Sequence, residues 1–424
     1  MTRNRVRLLA LALAAPGLAS TALRAEINPY YFGVSETYTR QANLLRLGDG
    51  LTANSGYSRS DSWWSTAVAA GVDQSFGRQR AAANLSLRNS RYANNSIFNN
   101  QGYSGNASLD WSTAERIAGT LSATANRSLG SFNYYNADLL AVRQRNLEST
   151  ESLSASVGIG LVTQYSLEFY LNHRQVRNSL QLASVLARDF TQDDAGLTLR
   201  WKPSSGATFG LGLHQLQGRY PKYQFNLISG AYFADRFKQP GIDLSVALKP
   251  SGASSLEARL GYSRTQYDLN QKRNFSGVTG LLGWAWQPSG KLRINTRLWR
   301  DTGQNSYALS LISFASPSEV PSSAEYSQLV NTLKMQADYD IAAKVALNTS
   351  LAVTQRNFAQ NLAGLSASGK DSSAVLAFGG RWAPLRSVLV GCDLSWEKRT
   401  ASGTLTTALK DNSVGCFGQF QLQQ

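Results

Sequence analysis

Residues capable of chemistry are few in this chain, and they are dispersed. Only two histidines occur, His173 and His214, with two cysteines, Cys392 and Cys416. Neither histidine stands at a metal-ligand spacing or beside a nucleophile motif. No glycine-rich phosphate loop is present, because the glycines fall at turns and within alternating runs. No cofactor is implied. What remains is charge interleaved with apolar residues. In Leu292 to Trp299, Arg293 and Arg297 alternate with Leu292, Ile294, Thr296 and Leu298. The same polar parity collects Arg88, Glu168, Tyr170, Arg174, Arg200, His214, Arg259, Trp299 and Arg381. Basic groups outnumber acidic ones in this set. A wall built from it would bind anions or acidic sugars weakly, with Tyr170 and Trp299 as stacking surfaces for sugar rings.

Period-two alternation requires strands to position those residues. The segment Gly277 to Trp299 is the clearest case, with two alternating arms around Gln287-Pro288-Ser289-Gly290. Each arm has about ten residues, the length that crosses a bilayer at a tilt of roughly 45°. One side of each arm needs water and the other an apolar medium. A transmembrane barrel supplies both.

Residues 1–25 read as a secretory signal peptide. Arg3, Arg5 and Arg7 precede an apolar run from Leu8 to Ala15, followed by small residues at Ala22 and Ala25. The chain from 26 to 424 then divides into 18 alternating runs, from Tyr30–Thr39 to Val414–Leu422. Short connections alternate strictly with long ones. An even-stranded antiparallel barrel of the Gram-negative outer membrane has this asymmetry, with short periplasmic turns and longer extracellular loops. The phrases RWKPSSG, ALKPSG, AWQPSG and RWAP recur at the short turns. Trp111, Trp201, Trp286, Tyr339 and Trp382 precede such turns and form a predicted periplasmic aromatic girdle against the outer-membrane lipids. A long loop is expected from Leu216 to about Lys238.

Cys392 and Cys416 fall on the last two runs at the lipid-facing parity, opposite each other if the hairpin centres near residue 404. Export places them in an oxidising compartment, which predicts a disulfide. The formal charge is +15. Nucleic acid is excluded as its cause, because the basic residues are scattered along strands and the compartment is wrong.

Two segments resemble the EpsL-type exopolysaccharide-biosynthesis proteins of the β-barrel porin-2 group. One is NPYYFGVSETYTRQANLLRLGDG, centred on Asn43-Leu44-Leu45-Arg46-Leu47; the other is the C-terminal VGCFGQFQLQ. The chain ends in Gln423-Gln424 where outer-membrane barrels commonly close on an aromatic residue. The resemblance implies a conduit for a polysaccharide substrate in a Wzx/Wzy-type secretion system. It also implies a periplasmic polysaccharide-export protein as partner. The alternative from the residues is a solute-selective diffusion porin for small anions or sugars. An outer-membrane hydrolase built on His214 lacks a partner constellation in the sequence, so no enzyme activity is expected.

Overall fold

The computed structural model describes residues 29–423 apart from 54–55, 114–115, 131–143, 227, 303–326, 363–364 and 404–406. The predicted signal peptide lies outside the described residues. The strands are β1 (Tyr30–Gln41), β2 (Asp61–Phe76), β3 (Gln79–Tyr92), β4 (Asn100–Thr113), β5 (Ile117–Leu129) and β6 (Leu147–Ile159). They continue with β7 (Tyr165–Asn178), β8 (Phe190–Ser204), β9 (Ala207–Asn226), β10 (Ala231–Ser251), β11 (Ser254–Tyr267) and β12 (Phe275–Trp286). The last six are β13 (Leu292–Asp301), β14 (Ser327–Ala342), β15 (Val345–Leu362), β16 (Leu365–Leu385), β17 (Val388–Gly403) and β18 (Leu409–Gln423). All 18 belong to one sheet in sequence order, and β1 pairs with β18 to close it. The architecture is the antiparallel barrel that the alternation predicts.

Directly opposed residues in a sheet share a face, so the registers assign every strand residue to one side. Val68 opposes Leu87, Leu121 opposes Ala155, Leu244 opposes Leu260, and Leu351 opposes Leu376. These residues form an apolar belt on the outside, where Leu, Val, Phe and Trp stay uncovered by protein. The opposite parity faces inward. Both ends of the described chain lie at the short-turn rim, because β1 starts there and β18 finishes there. A ring of this many strands is roughly 35 Å across between backbones at typical spacing and tilt.

The expected long loop after Leu216 is instead strand. β9 runs on to Asn226 and β10 begins at Ala231. Leu216, Tyr220 and Phe237 point inward there and join Val176, Phe190, Tyr223 and Tyr267 in a buried cluster. Apolar side chains can face inward at this end because loops fold over them. Between β7 and β8 a short helix, α1 (Ala183–Leu186), buries Val185 and Leu186. Between β11 and β12 Arg273 is buried, its guanidinium 5.5 Å from the Tyr220 ring centre and 4.8 Å from that of Tyr267. Asp235 anchors this turn by accepting hydrogen bonds from the Leu269 and Asn270 amides. A second cluster joins Leu44 and Leu45 to Phe98, against Trp63, Tyr92 and Leu129. The extracellular mouth is therefore lined and narrowed by packed loops, whereas the wall below is polar.

Cys392 opposes Cys416 on the outer face, and the two form a disulfide with Cα atoms 4.0 Å apart. The bond spans 24 residues of sequence, a loop whose closure is worth about 3 kcal/mol in the chain-entropy view. Cys392→Ala should preserve the barrel, seen as unchanged heat-modifiable migration on gels, while lowering its urea midpoint. An unchanged midpoint would mean the cross-link adds nothing to a sheet already closed by hydrogen bonds.

Candidate channel wall

The registers place Arg88, Glu168, Tyr170, Arg174, Arg200, His214, Arg259, Arg293, Arg297, Trp299 and Arg381 all on the inner face. They do not converge on one point. Several of them join lateral ion pairs, between neighbouring strands or across one intervening strand, lying along the wall. Arg200 pairs with Glu168 at 2.6 Å, Arg293 with Asp340 at 3.2 Å, and Arg297 with Glu257 at 3.5 Å. His214 Nδ1 lies 2.8 Å from Asp243 Oδ2. Arg259 then bridges Asp243 at 3.4 Å and Asp301 at 3.0 Å. Higher on the wall, Arg356 and Asp371 form a buried bidentate pair, with bonds of 2.8 and 2.6 Å.

Glycines provide the seats for these pairs. Gly241 opposes His214 on the adjacent strand, and a Cβ there would stand 2.3 Å from the imidazole. The ring therefore lies flat over bare backbone. Gly283 separates Glu257 from Arg297, and a Cβ there would meet the Glu257 carboxylate at 2.6 Å. Removing the side chain of the middle strand lets charges two strands apart meet without projecting inward.

Two expectations require correction. The inner wall is not predominantly basic. Asp73, Asp194, Asp301, Asp340, Asp371, Asp393, Glu397 and Asp411 share the inner parity and compensate its arginines. The sequence reading missed several of them because they lie toward strand ends, where alternation was followed less far. Trp299 is also not an open stacking surface, being only 4% exposed. Tyr170 lies flat over Gly196, whose Cβ would meet its ring at 2.4 Å. The partner of His214, Asp243, stands on the neighbouring strand, and only register brings them together.

His173 takes the opposite parity and faces outward, 2.7 Å from Asp193. On that outer face, Trp201, Trp286, Tyr339 and Trp382 are exposed near the short turns, and Trp111 lies against Gly119. The rings of Trp284 and Trp286 stack at 5.4 Å. A second outer set at the far rim escaped the sequence reading: Tyr38 and Trp64, 5.1 Å apart, and Trp396, 6.0 Å from Phe378. Its signal was an outward-parity aromatic toward the long-connection ends of β1, β2 and β17.

The Asn43–Leu47 turn closes the top of the seam. The Asn43 side chain donates to the Leu47 and Lys410 carbonyls at 2.8 and 3.0 Å and accepts from the Leu47 amide at 2.9 Å. Its own amide donates to Asp411 at 2.8 Å. Arg46 adopts φ 51, the left-handed region that is costly for a non-glycine residue. In that conformation it reaches over β18 to pair with Glu397 on β17.

A closed, lipid-belted barrel with a hydrated inner wall is a membrane-spanning β-barrel of the outer-membrane class. No family model matches the sequence, and no curated protein matches it. Among solved structures, the chain is similar to the outer membrane channel DcaP of Acinetobacter baumannii (12% identity, 93% of this chain and 96% of that chain, TM-score 0.42). It is also similar to the FrpB iron transporter of Neisseria meningitidis (9% identity, 88% of this chain, TM-score 0.45), spanning 62% of that protein's length. A third is the siderophore receptor PirA of Acinetobacter baumannii (7% identity, 94% of this chain and 81% of that chain, TM-score 0.45).

Gly241→Val should destabilise the barrel by about 1–3 kcal/mol, as overpacking does, because the imidazole has nowhere to retreat but the lumen. Gly290→Ala, in a turn with nothing within 4 Å of the added carbon, should be neutral within about 0.5 kcal/mol. Urea midpoints of the two variants compare them directly. Equal midpoints would show that the His214 seat is not a packing constraint.

Proposed function

We propose that this barrel is an outer-membrane conduit that passes an exopolysaccharide outward. The observation that carries the reading is the wall itself: wide, polar, and with many of its charges paired along the surface. A hydroxyl-rich polymer can exchange many weak hydrogen bonds along such a surface without being held at one charged site. The inward-packed mouth loops would gate this path, shifting when polymer passes.

Support for the substrate class comes from where the two family-like segments lie. The Asn43–Leu47 turn and the C-terminal strand are far apart in sequence, yet they form one hydrogen-bonded unit at the seam. A resemblance confined to two ends thus concerns a single structural element. A periplasmic polysaccharide-export protein is the proposed partner at the short-turn rim. The diffusion-porin alternative keeps sugars as solutes, but compensated charge weakens the case for anions.

Deleting the gene in its native host should leave polymer in the periplasm and little on the cell surface, measured by fractionation and carbohydrate staining. Normal surface polymer together with slowed uptake of a small sugar would reject export in favour of the porin.

A further inference from the structure

The outer surface carries a groove of about 770 Å³ across β4 to β9, and we propose that it holds one phosphorylated, multiply acylated lipid of the outer leaflet. The groove follows a row of the register, in which Ala107, Ala123, Leu153, His173, Asp193 and Gln217 oppose one another in turn. Strand tilt makes that row climb. It starts beside Leu109, one outward position from Trp111 of the periplasmic girdle, and ends at Gln217, two outward positions above Leu213 of the apolar belt. Alternation of Leu109, Leu121, Leu153 and Leu171 with Ala107, Ala123, Ala155 and Ala195 makes a channel with apolar walls and a shallow floor. An acyl chain fits such a surface.

The upper end of the groove meets a cluster of basic residues. Gln217 opposes Lys238, and immediately above them Arg219 opposes Arg236 across the β9–β10 pair. Like charges set directly opposite each other destabilise a sheet. All three basic residues are exposed, and none has a carboxylate partner among the described residues. Arg177 stands at the same level on β7. The acidic groups nearby are Asp268, whose amide bonds the Arg236 carbonyl across the β10–β11 pair, Asp189 beyond the end of β7 near Arg177, Glu151 on β6, and Asp193, the last held by His173. Two opposed arginines with an adjacent lysine match a phosphate, which accepts charge-assisted hydrogen bonds from several donors at once. The apolar groove and the cationic crown share one end, so a single amphiphile satisfies both. This site is on the opposite face from the conduit and does not depend on its function.

The test uses the full chain, refolded in detergent, and native mass spectrometry with bisphosphorylated hexa-acyl lipid A as probe. One lipid should stay bound per barrel. Arg219→Ala/Arg236→Ala should weaken binding at least tenfold, Arg219→Lys/Arg236→Lys should retain it, and removing the lipid's phosphates should reproduce the alanine loss. Ala155→Trp, which fills the groove, should weaken the phosphorylated lipid as well. Heat-modifiable migration checks that each variant folds; if the double alanine variant does not, the dephosphorylated lipid and Ala155→Trp still decide. Binding that survives both of these changes overturns the proposal. So does full displacement by millimolar inorganic phosphate, or a dimer of barrels that Ala155→Trp dissociates.

Discussion

The constraint on which this structure rests is that hydrocarbon offers no hydrogen bonds. Every backbone amide and carbonyl in the spanning region needs a neighbouring strand, so the sheet must close on itself. Closure here depends on β1 meeting β18 from Tyr31 opposite Gln423 to Gln41 opposite Ser413. A one-residue slip would turn the apolar belt inward. The chain secures this register beyond the strands. Asn43 ties the β1–β2 turn to Lys410 and Asp411, and Arg46 crosses β18 to reach Glu397. Arg46 makes this contact from a positive φ, a sparsely populated backbone region for a non-glycine residue.

Once closed, the barrel has two solvents, and its charges divide between them. Inside, carboxylates and guanidiniums meet between neighbouring strands, and glycines at Gly241 and Gly283 give them room to lie flat. Partly hydrated pairs of this kind contribute little stability each. Their consequence is geometric, in that they hold the paired charges along the wall. The surplus behind the formal charge of +15 therefore lies largely elsewhere. Arg40, Arg177, Arg219, Arg236, Arg264 and Lys398 take the outward parity near the long-connection rim, where lipid headgroups would lie.

Much of this was legible in the sequence. Strict alternation and the parity of connection length specify the closed antiparallel sheet, its strand number and the β1–β18 closure. The girdle residues were named from their place before the short turns. Beyond the closure and the Cys392–Cys416 pair, the side-chain partners across strands could not be read. The pairing of His214 with Asp243, or of Arg259 with Asp301, depends on register, and register leaves no mark within one strand. The net charge of the wall was misjudged for a related reason. Acidic partners such as Asp301, Asp340 and Asp371 sit near strand ends, where a single-strand reading stops early.

The largest misreading, of β9 and β10 beyond Leu216, has a physical cause that also locates the membrane. Below that point apolar residues face out: Leu211 and Leu213 on β9, Ile242 and Leu244 on β10. Above it the period of two continues, but its polarity reverses. Arg219, Arg236 and Lys238 face out, while Leu216, Tyr220 and Phe237 face in. The same reversal occurs on β7, where Val176 turns inward and Arg177 outward, and on β8, where Phe190 is buried inside and Asp193 lies outside. Reversal is expected where the outer medium changes from hydrocarbon to water and the lumen changes from water to packed loops. A single apolar face followed along the strand therefore ends at Leu216, and the rest looks like a loop. On β8, the span from Trp201 to Asp193 at strand rise and barrel tilt gives a belt of roughly 20 Å, near the ~25 Å expected of outer-membrane barrels. The reversal is thus the outer waterline written into the sequence, and the aromatic clusters above it belong to the mouth, outside the membrane.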